Sequence, residues 1–244
     1  GDADIYFLSN RSNSDVTGEL HFRITDKQPE LWRADTGEVR PLSFRMEGDH
    51  TVIDTDIAAQ DAFFVVFRES TNDVSASFAE PRWQSIEDIS EGPWQVSFQK
   101  ERGAPATTRL DSLAPLNENA NPGIRYFSGV ASYSKMFDLP QEANLGQPLF
   151  IDLGEVAELA EVYVNGVKAG SAWREPFRVD ISEQVRAGRN TLEIRVANLW
   201  VNRLIGDAQD GMEKITWTST PVYLKTAPLR VSGLLGPVQL LQQQ

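Results

Sequence analysis

Apolar and polar positions along this chain alternate with a period of two, and that pattern predicts strands over most of its length. Leu20, Phe22 and Ile24 alternate with Glu19, His21 and Arg23. Leu31-Trp32 runs through the turn residues Ala34-Asp35-Thr36-Gly37 into Val39, and Glu47-Gly48-Asp49 joins 43–46 to 51–54. Ala62-Phe63-Phe64-Val65-Val66-Phe67 is a continuous apolar run, the pattern of a strand covered on both faces. About six short strands of this kind make a small antiparallel β-sandwich over residues 1–80. The stretch from Glu69 to Pro81, rich in Ser, Thr, Asn and Asp, predicts a linker.

A second sandwich is predicted over residues 84–244, opening on Trp94, Val96 and Phe98. Its clearest signal is Val164-Asn165-Gly166-Val167, because Asn and Gly both tolerate the positive φ that a tight hairpin turn requires. Ser182 is positioned to cap a short helical turn, and Gly188 resets the chain for a strand in which Leu192, Ile194 and Val196 share one face. Residues 101–123, with Pro105, Pro115 and Pro122, predict a long surface loop. The fold class is therefore all-β, two antiparallel sandwiches in series.

Composition narrows the function. At 244 residues with 41% apolar side chains and a mean hydropathy of −0.35, the chain is globular and long enough to bury a core. Cysteine is absent, which removes thiol catalysis, disulfides and thiolate metal sites. The net charge of −12 is concentrated in residues 1–80, which hold 16 acidic and 7 basic side chains. Nucleic acid is thereby excluded as an expected partner, since phosphate binding needs a basic face. No apolar run reaches membrane-spanning length, and no lysine-rich helix suggests a membrane surface. The chain starts at Gly1-Asp2-Ala3-Asp4, directly before a strand and without a leader, which reads as a piece of a secreted or periplasmic bacterial protein.

Several motifs in a fixed order carry a resemblance. Asn165-Gly166, Trp173, Pro176 and Gly188-Arg189-Asn190-Thr191-Leu192 resemble the sugar-binding jelly-roll domain of family 2 glycoside hydrolases. Asn121-Pro122-Gly123 leading to Tyr126–Tyr133, the run from Asn198 to Asp207, and the closing Ser232–Val238 extend it. The whole set is most similar to the C-terminal region of glycoside hydrolase family 106, the α-L-rhamnosidases, and Asp4–Arg11 looks like the first strand of the segment that follows the barrel there. The resemblance implies a jelly roll for the second sandwich. It also implies that catalytic carboxylates and any calcium ion belong to an upstream barrel, and no barrel-like βα alternation is present here. No cofactor, resident metal or catalytic residue is expected in this chain itself.

Candidate chemistry is sparse. Both histidines, His21 and His50, fall in the first module, so a Ser-His-Asp triad or a histidine metal site in the second is excluded. Glycoside hydrolysis needs two carboxyls facing each other at about 5 to 9.5 Å. Glu155, Glu158 and Glu161 read more simply as a solvated strand edge and loop, and Asp207-Ala208-Gln209-Asp210-Gly211 as a turn rather than a calcium loop. Trp94 and Trp200 lie on strand patterns and are expected in the core, Trp32 is expected between strands, and Trp217 is undecided. Trp173, with Arg174 and Glu175 beside it, is the first candidate for ligand contact: a flat apolar face next to planar hydrogen-bonding groups suits a sugar. A loop anchor packed on Pro176 or on a neighbouring domain is the alternative for that tryptophan. Asn202 and Arg203, leaving a strand, are weaker candidates of the same type, and the resemblance to family 2 jelly rolls implies that Asp207 and Asn202 lend polar side chains to the active site of an adjoining barrel. The expected function is an accessory unit of a rhamnosidase-like hydrolase, binding carbohydrate such as a rhamnose-containing glycan or supporting the upstream barrel. A free-standing carbohydrate-binding protein and a structural module without ligand are the alternatives.

Overall fold

The computed structural model describes residues 2–244. The chain divides into two compact units, residues 1–80 and 81–244, each with its own core.

The first unit has two four-stranded antiparallel sheets. One orders Asp4–Ser9, Ala62–Ser70, Lys27–Trp32 and Val39–Pro41; the other orders Val16–Phe22, His50–Ile57, Phe44–Glu47 and Ser75–Ala76. Leu31, Val65 and Phe67 from the first meet Phe22, Phe44 and Ile53 from the second in one apolar cluster. Val65, Val66 and Phe67 are all buried, as the continuous apolar run predicts. The expected linker from Glu69 is partly strand: Ala62–Ser70 continues through Glu69, and Ser75–Ala76 pairs with Phe44 and Arg45. Trp32 is only half-buried. Its indole N–H donates to Glu30 at 2.8 Å and the Arg68 guanidinium lies 5.3 Å from its ring centre.

The second unit sets a six-stranded sheet against a four-stranded one. The larger orders Thr107–Leu110, Trp94–Phe98, Val130–Leu139, Gly188–Ala197, Leu159–Val164 and Val167–Ala172; the smaller orders Arg178–Asp180, Leu149–Asp152, Gln239–Gln243 and Trp83–Asp88. All strand pairs are antiparallel. Val96, Tyr133, Val162 and Ile194 on one sheet and Ile151, Val179 and Leu240 on the other fill the space between them. The hairpin turn is as expected: Asn165 and Gly166 have φ of 52° and 81°, and Val164 faces Val167.

Four expectations are corrected. Residues 101–123 are not a bare loop, for they contain the strand Thr107–Leu110 and a 3₁₀ turn Leu116–Glu118 whose Leu116 is buried. Ser182 caps no helix; its hydroxyl accepts the Leu149 N–H at 2.9 Å, and Asp180 accepts the Ser182 N–H. Asn202 and Arg203 do not leave a strand but lie in the helix Val201–Asp207. Trp200, expected in the core, precedes that helix with 60% of its surface exposed, whereas Trp94 is fully buried.

Candidate functional site

Residues 173–176 join the strand Val167–Ala172 to the strand Arg178–Asp180. Ala172 and Phe177 are buried at the two ends, so the connection is short and held at both sides. Between these anchors Trp173 turns outward with 59% of its surface exposed. It lines an open cleft of about 440 Å³ with Glu155, Glu158, Arg230 and Val231, around the buried side chains of Val156 and Phe177.

Distant parts of the sequence build the other walls. Glu155–Val156 pairs antiparallel with Leu234–Gly236, and the Ala157 N–H donates to the Gly233 carbonyl at 3.0 Å. Gly154 and Gly236 touch so closely that a Cβ on Gly154 would lie 2.3 Å from the Gly236 carbonyl carbon. Behind this pair, the buried Tyr133 hydroxyl accepts the Leu234 N–H at 3.2 Å, and burial raises its pKa above the usual phenol range. Glu158 has a φ of 96°, a backbone state costing a non-glycine residue about 1–3 kcal/mol and concentrated at functional surfaces.

Chemically, the cleft offers an indole face, two carboxylates as acceptors and one guanidinium as donor. That set matches a neutral polyol with an apolar face better than a charged or wholly apolar ligand. Glu161 is committed elsewhere, to Lys168 and the Tyr163 hydroxyl. Among the described residues no group of three or more His, Asp or Glu side chains is placed to hold a metal ion.

Of the six residues proposed from sequence, Trp173 alone lines this cleft. Its neighbours Arg174 and Glu175 do not, and Arg174 donates to the Glu175 carbonyl at 3.1 Å. Asn202, only 2% exposed, binds the backbone of Arg230 instead of facing solvent. Arg203 and Asp207 face each other inside the unit, Nε to Oδ1 at 2.9 Å, with side chains 1% and 4% exposed. Asp207 also accepts from the Thr216 N–H at 2.8 Å, the Thr216 hydroxyl, and the Ile215 N–H at 3.1 Å. Burial pushes the Asp207 pKa up, but these bonds and the Arg203 charge outweigh it and hold the carboxyl below its ordinary range. Asp207 therefore ties the segment around 215 to the helix. Sequence reasoning set aside Glu155 and Glu158, and it missed Arg230, whose only signal is its place just before Ser232-Gly233.

Among known families, the sequence profile of the alpha-L-rhamnosidases of glycoside hydrolase family 106 matches residues 1–46. The solved rhamnosidase of Novosphingobium sp. PP1Y is 48% identical, covers 99% of this chain, and superposes with a TM-score of 0.93. A protein of Formosa agariphila named as a beta-glucuronidase is 36% identical over 61% of this chain. The chain spans 23% of the length of the first and 15% of the second. The two regions of resemblance are complementary, since the profile falls on the first unit and the motifs read from sequence fall mainly on the second. In sequence and in fold, this chain is similar to a part of the Novosphingobium rhamnosidase, and its first 46 residues match the profile of the family 106 alpha-L-rhamnosidases.

Proposed function

We propose that this chain is a non-catalytic, carbohydrate-facing module of an α-L-rhamnosidase-like glycoside hydrolase, with the Trp173 cleft as its sugar surface. The observation that carries the reading is Trp173 itself: a large indole held outward by a short connection, in one cleft with two carboxylates and a guanidinium. A shallow site with one aromatic platform binds weakly, on the order of millimolar, because few rigid contacts offset the cost of association.

Titration of the chain with L-rhamnose and rhamnose-containing oligosaccharides, followed by NMR, tests this. Saturable shifts of the Trp173 indole N–H that vanish in Trp173→Ala, with the melting temperature nearly unchanged, are the expected result. Failure of every such glycan to shift Trp173 would leave the cleft a packing surface and overturn the carbohydrate reading. The same preparation should release no sugar from an aryl α-L-rhamnoside. Turnover lost in Glu155→Gln or Glu158→Gln would place catalysis in the cleft and overturn the non-catalytic assignment.

A further inference from the structure

The run Ala62–Phe67 has the continuous apolar pattern of a strand covered on both faces, yet the core of the first unit covers one face only. Phe63, Val65 and Phe67 point into that core. Phe64 and Val66 point the other way, and strand register carries their face across the whole sheet, since directly paired residues share a side. Phe7, Phe64, Trp32 and Val39 stand in one row, each paired with the next; Ile5, Val66, Glu30 and Pro41 form the row beside it. Phe7 and Phe64 touch, with ring centres 5.1 Å apart.

This face is open. Ile5, Phe7 and Val39 are 63%, 62% and 50% exposed. Single apolar side chains on a surface are ordinary, whereas two apolar rows spanning four strands mark a surface that meets a partner. The strand Asp4–Ser9 also forms one edge of the sheet, where an exposed apolar strand is a template for pairing unless something covers it. The one charged member of the rows is prepared for burial: Glu30 accepts the Trp32 indole N–H at 2.8 Å and the Arg68 Nε–H at 2.9 Å. A partner can therefore cover the face without stranding a charge.

We propose that this face docks a domain of the same polypeptide outside these 244 residues, one that presents an apolar surface ringed by basic side chains; this rests on the reading of the chain as part of a rhamnosidase-like hydrolase. Two observations choose this occupant. The chain spans 23% of the solved Novosphingobium rhamnosidase at 48% identity, so most of that protein lies outside the corresponding part. The first unit holds 16 acidic against 7 basic side chains, which repels a second copy of itself and favours a basic rim. A glycan fits less well, because the carboxylate on the face is already engaged and a sugar needs polar groups beside the rings.

The chain has no cysteine, so a single one introduced on the face reports whether it is covered. Val39→Cys and Phe7→Cys are compared with Val167→Cys, 57% exposed on the second unit, for the rate of alkylation by iodoacetamide, read by mass spectrometry of the labelled peptide. In the chain alone all three should react at similar rates at every protein concentration. In the gene-length protein the two face positions should slow at least about tenfold while Val167→Cys keeps its rate. Val39→Cys leaves the Phe7–Phe64 contact intact, so it carries the test if Phe7→Cys disturbs the fold. Unchanged rates at both face positions in a longer, rhamnosidase-active protein would overturn the docking face and leave the hydrolase reading standing. A gene that encodes nothing beyond this chain would overturn both. Slowing that grows with the concentration of the isolated chain would give the face to a second copy, and slowing only with added rhamnose-containing oligosaccharide would give it to a glycan; either overturns the assignment.

Discussion

Asn202 grips Arg230 with both ends of one carboxamide. Its Nδ2 donates to the Arg230 carbonyl at 2.7 Å and its Oδ1 accepts the Arg230 N–H at 2.8 Å. A side chain that never faces the cleft thus fixes the residue that supplies, among the described residues, the cleft's guanidinium. Asn202→Ala should cost about 2 kcal/mol through these bonds, and roughly 4–8 °C in melting temperature at this module size. Thermal denaturation measures it. A melting temperature within one degree of the parent would show that Arg230 is held by something else.

Removal of charge from Asp207 should be felt both in stability and in its pH dependence. Its pKa is depressed in the folded state, so its contribution is present above the unfolded value of about 3.9 and is lost as the pH falls through the lower, folded value. Urea midpoints should therefore hold from pH 7 to 5 and fall below about pH 4. Asp207→Asn leaves Arg203 buried without its counter-charge, which should cost about 3–5 kcal/mol at pH 7 and flatten the acid limb. An unchanged acid limb in the variant would assign that limb to other depressed carboxyls, Glu30 or Asp88 among them.

Three glycines with positive φ should respond very differently to alanine. A Cβ at Gly166 meets nothing within 4 Å, so Gly166→Ala suffers only the left-handed backbone, about 1 kcal/mol. At Gly233 the Cβ would also lie 2.5 Å from the Tyr133 hydroxyl, and at Gly154 it would run into the Gly236 backbone. Both should destabilise by several kilocalories per mole, on the scale of a core defect. Chemical denaturation of the three variants side by side gives the order. Equal effects would mean that the strands beneath the cleft separate at little cost.

The tryptophans offer a similar contrast between position and type. Trp94→Ala, at a fully buried site, should cost about 3–5 kcal/mol, whereas Trp200→Ala should stay within about 0.5 kcal/mol. A large loss at Trp200 would contradict its exposure.

The sandwiches were legible because period-two alternation and Asn165-Gly166 are local signals that the cores reinforce. The helix Val201–Asp207 was not. Seven residues are too few to establish a helical period, and Leu199-Trp200-Val201 looks like more of the preceding strand. What diverts the chain is remote: Asn198 donates to the Gly129 carbonyl and accepts the Gly233 N–H at 2.7 Å. The cleft was legible only at Trp173 for the same reason. Glu155, Glu158 and Arg230 reach it through pairing with the 233–236 segment and through Asn202, contacts that no local pattern announces.

Successive side chains leave a helix about 100° apart, so neighbours on the two-turn segment serve different surroundings. Asn202 holds the wall of the cleft and Arg203 lines a separate, smaller cavity. The backbone joining them makes one short segment serve both places, so a substitution that unwinds it disturbs the cleft wall and the cavity lining together.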